Sequence, residues 1–187
     1  GARDGVVRLW DATTGECRHV LPGHREWVWP LLFNSTGTLL ATGDKDGVVR
    51  VWEVSTGRLR WELPGHRAPV WTGTFNPDGT LLATGDDGAV VRLWDLRTGR
   101  LHQRVEAEDK PTYWMRHDPA GTCLAGGAED GVLRLWDPNT GRLLHRLTGH
   151  EGAIYTFDFH PSGRHIVSAD VTGSVWRWDL PEDGHPP

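Results

Sequence analysis

Apolar residues in this chain come in runs of five to seven, separated by glycine-bearing turns, and the runs recur. The stretch from Gly23 to Leu63 shows the pattern in full. A turn at Pro22-Gly23-His24 leads into Trp27-Val28-Trp29-Pro30-Leu31-Leu32-Phe33, and Asn34-Ser35-Thr36-Gly37 carries turn chemistry. Thr38-Leu39-Leu40-Ala41-Thr42 forms a second run. Asp46-Gly47 then signals a tight hairpin before Val48-Val49-Arg50-Val51-Trp52. Ser55-Thr56-Gly57 reverses the chain again into Arg58-Leu59-Arg60-Trp61-Glu62-Leu63. Runs this short, with no stretch of helical period, predict four antiparallel strands in a meander and an all-β protein.

The same text returns at a fixed interval. Trp10, Trp52, Trp94, Trp136 and Trp178 stand 42 residues apart, each followed by an acid (Asp11, Glu53, Asp95, Asp137, Asp179). Gly37, Gly79, Gly121 and Gly163 mark one turn of the unit, and Gly15, Gly57, Gly99 and Gly141 mark another. A register held over four intervals means one structural unit copied in tandem. Such a sheet is apolar on both faces and is not stable alone, so copies must stack, and twisted four-stranded sheets of this length stack radially. The expected units are 23–63, 65–105 and 107–147 as full sheets, 1–21 as a partial one, and 149–180 lacking its fourth strand. Residues 181–187 are expected to be a disordered tail or an end strap.

Composition narrows the function classes. The net charge is −5 with Lys and Arg scattered through every copy, so the basic footprint of nucleic-acid binding is absent. No run approaches the roughly 20 apolar residues of a membrane span. Cys17 and Cys123 occupy different places in the repeat and form neither a metal nor a redox spacing, which favours a reducing, cytoplasmic setting. No cofactor or metal motif stands out: there is no phosphate-binding glycine loop with lysine and no nucleophile elbow.

With Gly-His opening a copy at Gly23-His24, Gly65-His66 and Gly149-His150, and Trp-Asp closing its third strand, the chain resembles the WD-repeat family of β-propellers over Asp4 to Leu180. Each of these histidines precedes its tryptophan by 28 residues. The resemblance implies a buried network joining the histidine, a Ser or Thr on the second strand, an Asp in the following turn and the Trp. Its members here are expected to be His24, Thr42, Asp46 and Trp52; then His66, Thr84, Asp87 and Trp94; then His150, Ser168 and Trp178, with Thr172 in place of the aspartate. The copy ending at Trp136 departs most. Glu108 and Gly126 replace the histidine and threonine, and His117 stands where Phe33, Phe75 and Phe159 stand elsewhere. That copy is expected to rely on packing and to be the softest. Spaced one per repeat rather than converging, the histidines read as scaffold and not as catalysts.

A partner-binding rim is expected in the loops before the first strand and between the second and third. The second residue after the entry loop is aromatic in every copy, as Trp29, Trp71, Tyr113 and Tyr155, thickened by Trp27 and Trp114, with Asp44, Asp86 and Asp170 following the second strand. Aromatics flanked by charge suit a protein-binding hot spot; packing against the neighbouring copy is the alternative. About four and a half blades are present against the seven of the familiar ring, and the chain opens mid-unit. A piece of a longer protein is therefore expected, with compact closure or two chains sharing a ring as alternatives, and open blade faces free to self-associate. The function expected is a non-enzymatic scaffold binding a protein or peptide. The alternatives are a sensor propeller following a kinase, protease or nucleotide-switch ATPase domain, an enzyme with its site in the central channel, and a purely structural array.

Overall fold

The computed structural model describes residues 4–107 and 110–180 of the 187-residue chain. The described residues form strands and turns with no helix, and hence no helix long and apolar enough to cross a membrane. Sheet I is the hairpin β1 (Val7–Trp10) and β2 (Cys17–Leu21). Sheet II comprises β3 (Val28–Phe33), β4 (Leu39–Asp44), β5 (Val49–Glu53) and β6 (Leu59–Leu63). Sheet III comprises β7 (Val70–Phe75), β8 (Leu81–Asp86), β9 (Val90–Asp95) and β10 (Arg100–Glu106). Sheet IV comprises β11 (Thr112–His117), β12 (Leu124–Ala128), β13 (Leu133–Trp136) and β14 (Leu143–Leu147). Among the described residues sheet V has three strands, β15 (Ile154–Phe159), β16 (His165–Asp170) and β17 (Val175–Asp179). Every sheet is an antiparallel meander in chain order, and together they make a partial propeller. The end segment 181–187 and Glu108 lie outside the described residues.

Strand alternation explains the stacking. In β5, Val49 and Val51 point to one side and Arg50 and Trp52 to the other. With Ala41 and Leu63, the two valines pack on Val70, Phe75, Leu82 and Trp94 of sheet III. The pattern then steps forward: Ala83, Val91, Leu93 and Val105 meet Met115, Leu124 and Trp136, and Ala125, Leu133 and Leu135 meet Ile154, Phe157, Phe159 and Ile166. Val7 and Leu21 of sheet I cover Val28, Leu40 and Trp52. Each interface buries several aliphatic side chains, at roughly 1.5–3 kcal/mol each.

The series ends abruptly. Val175 of sheet V is 68 % exposed, whereas its counterparts Val49, Val91 and Leu133 are at most 1 % exposed. Val167 is also exposed, and Arg177, paired with Asp179 at 2.8 Å, stands where the inner sheets carry Val51, Leu93 and Leu135. Among the described residues no sheet covers this last face.

The first strands β3, β7, β11 and β15 of successive sheets lie beside one another and form the hub. Their inner surface lines a concavity of about 1230 Å³.

Candidate functional site

Three sheets carry a hydrogen-bonded chain that ties the loop before the first strand to the sheet. Trp52 Nε1 donates to Thr42 Oγ1 at 2.9 Å, and Thr42 Oγ1 lies 2.7 Å from His24 Nε2. His24 Nδ1 lies 2.6 Å from Asp44 Oδ2. One proton arrangement satisfies all four groups: the hydroxyl donates to Nε2, and Nδ1–H donates to the carboxylate. Sheet III repeats the set with Trp94, Thr84, His66 and Asp86 at 2.8, 2.7 and 2.6 Å. Sheet V repeats it with Trp178, Ser168, His150 and Asp170 at 2.8, 2.7 and 2.7 Å.

The carboxylate in this chain differs from the one expected. Asp44 fills the place assigned to Asp46, Asp86 that assigned to Asp87, and Asp170 that assigned to Thr172. The reason is strand length. β4, β8 and β16 run two residues beyond the expected end, which carries these aspartates into the sheet and leaves Asp46 and Asp87 exposed at the hairpin tip. Asp44, Asp86 and Asp170 are thus buried and unavailable to a rim. Their second oxygen caps the hairpin, accepting from the N–H of Val48, Val90 and Ser174. Thr172 has a supporting role, its hydroxyl donating to Asp170 Oδ1 at 2.6 Å. The signal was present in the sequence: histidine and aspartate are 20 residues apart in all three copies.

Burial works against ionisation of Asp44 and Asp86. The hydrogen bonds from histidine and backbone N–H outweigh it, with help from Arg50 and Arg92, and both carboxyls sit below their ordinary value. Arg92 Nη1 lies 3.3 Å from Asp86 Oδ2, and Arg50 Nη1 3.6 Å from Asp44 Oδ2, a partner that the sequence reading missed. The Thr172 hydroxyl holds Asp170 well below the carboxylate range. Burial lowers the basicity of His66, against the pull of Asp86, which suits a neutral ring. These groups are engaged with one another in one buried hydrogen-bonded set.

Sheet IV lacks the chain. Gly126 and Ala128 stand at the Thr and Asp positions. A Cβ on Gly126 would come within 2.8 Å of both the Trp136 ring and Thr112 Cγ2. The buried indole occupies the space that the threonine side chain takes elsewhere.

Trp29, Trp71, Tyr113 and Tyr155 each occupy the second position of a hub strand. Tyr113 and Tyr155 each sit in a β-bulge: the pairing runs from Thr112 to Trp114 and from Ile154 to Thr156, leaving the tyrosine between them unpaired. Trp71 is skipped in the same way, and Trp29 lies in the equivalent break between Val28 and Leu31. A bulge re-aims its extra residue, and here the re-aimed residues all line the concavity. Trp27 precedes β3 and meets Trp29 edge to face, with centroids 6.5 Å apart. Tyr113 and Tyr155 stack at 5.1 Å with 4° between planes. Trp71 Nε1 donates to Asp87 Oδ1 at 3.0 Å, which fixes its ring. Trp114 lies on β11 with Arg116 over it at 5.9 Å. Trp29 and Tyr155 are more than half exposed. No cluster of three His, Cys, Asp or Glu side chains among the described residues could hold a metal ion.

Comparison with known proteins agrees with this architecture. Nuclear distribution protein PAC1 of Cryptococcus neoformans var. neoformans serotype D is 43 % identical over 37 residues, which is 20 % of this chain and 8 % of that protein. The Lissencephaly-1 homolog of Trichoplax adhaerens is 46 % identical over 37 residues, 20 % of this chain and 9 % of that protein. The matched stretch therefore spans under a tenth of either relative. The WD domain, G-beta repeat family matches residues 15–53, 57–95, 101–137 and 141–179, most of the chain, and the chain belongs to that family.

Proposed function

We propose that this chain is a non-enzymatic interaction scaffold that holds a segment of a partner protein or peptide against its hub aromatics. One observation carries the reading. Four bulges turn four aromatic side chains into one mostly apolar concavity, where two of them remain more than half exposed. A ring that served only to pack the neighbouring sheet would be covered by it, as Trp52, Trp94 and Trp136 are. Rigid aromatic side chains in a recess supply large contact area at low entropic cost, the physics of a binding hot spot. The histidine chains support this role by stiffening the sheets that present the rings. WD-repeat proteins generally mediate protein–protein contacts, and the relatives named above are titled for nuclear distribution and lissencephaly, not for a reaction. A cytoplasmic setting is part of the same reading, supported by two free thiols, one of them exposed.

The test is the double variant Trp29→Ala, Trp71→Ala. It is expected to keep the wild-type far-UV spectrum and melting temperature and to lose capture of the partner that the wild-type chain retains stoichiometrically. Undiminished capture, or a variant that no longer folds, would overturn the reading.

A further inference from the structure

The hairpin tip between second and third strand touches the hub at one repeated point. The N–H groups of Lys45, Asp87, Glu129 and Val171 donate to the carbonyls of Trp27, Pro69, Pro111 and Ala153 at 3.1, 2.9, 3.4 and 3.0 Å. Each acceptor stands two residues before the hub aromatic of its sheet, so each tip residue sits beside Trp29, Trp71, Tyr113 or Tyr155. The charges around this arc are uneven. Asp87 and Glu129, both exposed, flank the two middle rings, Trp71 and Tyr113.

The carboxylates there are poorly neutralised. Among the described residues Asp87 has no cation within 4 Å; its one recorded side-chain bond is to the indole N–H of Trp71. Glu129 meets Lys110 only at 3.8 Å, with both side chains about half exposed, a geometry worth little. Arg116, which lines the concavity, is engaged by Asp158 at 3.3 Å. The Tyr113 hydroxyl registers the excess: burial raises its pKa, and Glu129, Tyr155 and Asp87 raise it further. A recess with aromatic faces and spare negative charge attracts a cation twice over, by cation–π contact and by ion pairing. The stacked tyrosines and the fixed Trp71 ring present flat faces, which a planar guanidinium matches better than a lysine ammonium does.

We infer that the hub recess binds an extended peptide segment through an arginine side chain seated between Trp71 and Tyr113, with Asp87 and Glu129 as its counter-ions. This rests on the reading of the hub as a peptide-binding surface and names the chemistry of what it takes. Lys45 and Val171 at the two ends of the arc give the segment a direction, with the basic residue central and an apolar residue toward sheet V.

The probe is a displayed library of random peptides, selected on the wild-type chain and retested on three variants: D87N with E129Q, D87K, and W29A with W71A. The amide introduced by D87N keeps an oxygen for the Trp71 indole, so the first variant removes charge without freeing the ring, and unchanged melting would verify that. Enriched peptides are expected to share an arginine, to lose about tenfold in affinity when it becomes glutamine or when D87N with E129Q is the bait, and to weaken with salt. D87K is expected to enrich peptides without that arginine. Peptides lacking a basic residue that bind wild type and D87N with E129Q alike, yet fail on W29A with W71A, would overturn the arginine inference and leave the peptide-binding surface standing. Peptides that bind W29A with W71A as well as wild type would overturn both.

Discussion

Sheets III and IV are consecutive copies of one text, yet only the first carries the histidine chain. Sheet III joins Trp94, Thr84, His66 and Asp86 through buried bonds of 2.6–2.8 Å. Sheet IV has Gly126 and Ala128 in the corresponding places and still forms four strands in the same order. What the copies share is the apolar exchange between faces: Leu93 and Val91 are as fully buried at one interface as Leu133 is at the next. Burial of alternating aliphatic residues therefore builds the fold. In sheet IV the histidine, hydroxyl and carboxylate positions of the polar chain are all substituted together, by Glu108, Gly126 and Ala128, while the buried indole of Trp136 stays. Half a chain is the costly case, because a buried imidazole or carboxylate without its partner loses solvation for nothing.

The largest effect expected from breaking this comparison is at Asp86. Asp86→Ala strips the partner from the buried His66 and Arg92 and uncaps the hairpin at Val90, and is expected to cost about 3 kcal/mol in urea unfolding. Replacing His66, Thr84 and Asp86 together is expected to cost less than the three single substitutions summed, since it removes the stranded groups as well. A triple variant that costs the full sum would mean the groups act independently. In native-state hydrogen exchange, the amides of β12 and β13 are expected to open before those of β4, β5, β8 and β9. Equal protection across sheets II, III and IV would dissolve the distinction.

A second difference sharpens with pH. His117 on β11 replaces the phenylalanine that sheets II, III and V carry, and both its ring nitrogens are buried without a hydrogen-bond partner among the described residues. Burial lowers its pKa to about 4. The unfolded imidazole titrates near pH ~6.5. The neutral folded form is therefore fully tolerated above that pH. Between about 6.5 and 4 the unfolded chain binds a proton that the folded chain refuses, and stability falls as pH drops. The difference reaches about 3 kcal/mol at the low end. His117→Phe is expected to gain about 1 kcal/mol at pH ~7, by removing an unpaired polar ring, and more at acid pH. His66, whose pKa burial also lowers, leaves some slope in the variant. Parallel stability–pH curves for wild type and His117→Phe would refute the assignment.

The repeat register and the turn glycines were enough to read strand order and the four-stranded sheets, because a 42-residue period leaves little freedom in where each reversal falls. Gly37, Gly57, Gly99 and Gly121 indeed adopt φ between +67° and +74°. Strand ends were less legible, and two residues decided chemistry. Ending β4 at Thr42 put Asp44 in a loop; extending it to Asp44 makes that aspartate the histidine's partner. Hairpin-tip chemistry drew attention to Asp46 and Asp87, although the constant spacing from histidine pointed elsewhere. The hub aromatics were legible as a candidate binding set, but the concavity they line was not. Their direction depends on a bulge, and a bulge shows only in the pairing of two strands. Arg50 and Arg92 read as ordinary strand arginines, since nothing local reveals a carboxylate across the sheet.

The smallest effect belongs to the hairpin tip, where the two sheets again diverge. Ala89 adopts φ +58°, and its counterparts Gly47, Gly131 and Gly173 adopt +80°, +72° and +87°. The left-handed conformation costs alanine about 1–2 kcal/mol. Two gains oppose that cost. Alanine reduces the freedom of the unfolded chain by about 0.4–1 kcal/mol relative to glycine. Its methyl also joins the core with Val91 and Leu93 at 7 % exposure, worth about 0.8 kcal/mol. The three nearly cancel, so Ala89→Gly is expected to change stability by less than about 0.5 kcal/mol. A gain above about 1 kcal/mol in urea unfolding would mean that backbone strain dominates and the methyl contributes nothing. A loss of that size would mean that the methyl is essential to the interface between sheets III and IV. Near-neutrality would explain how one copy of the repeat tolerates alanine at a position where the others have glycine.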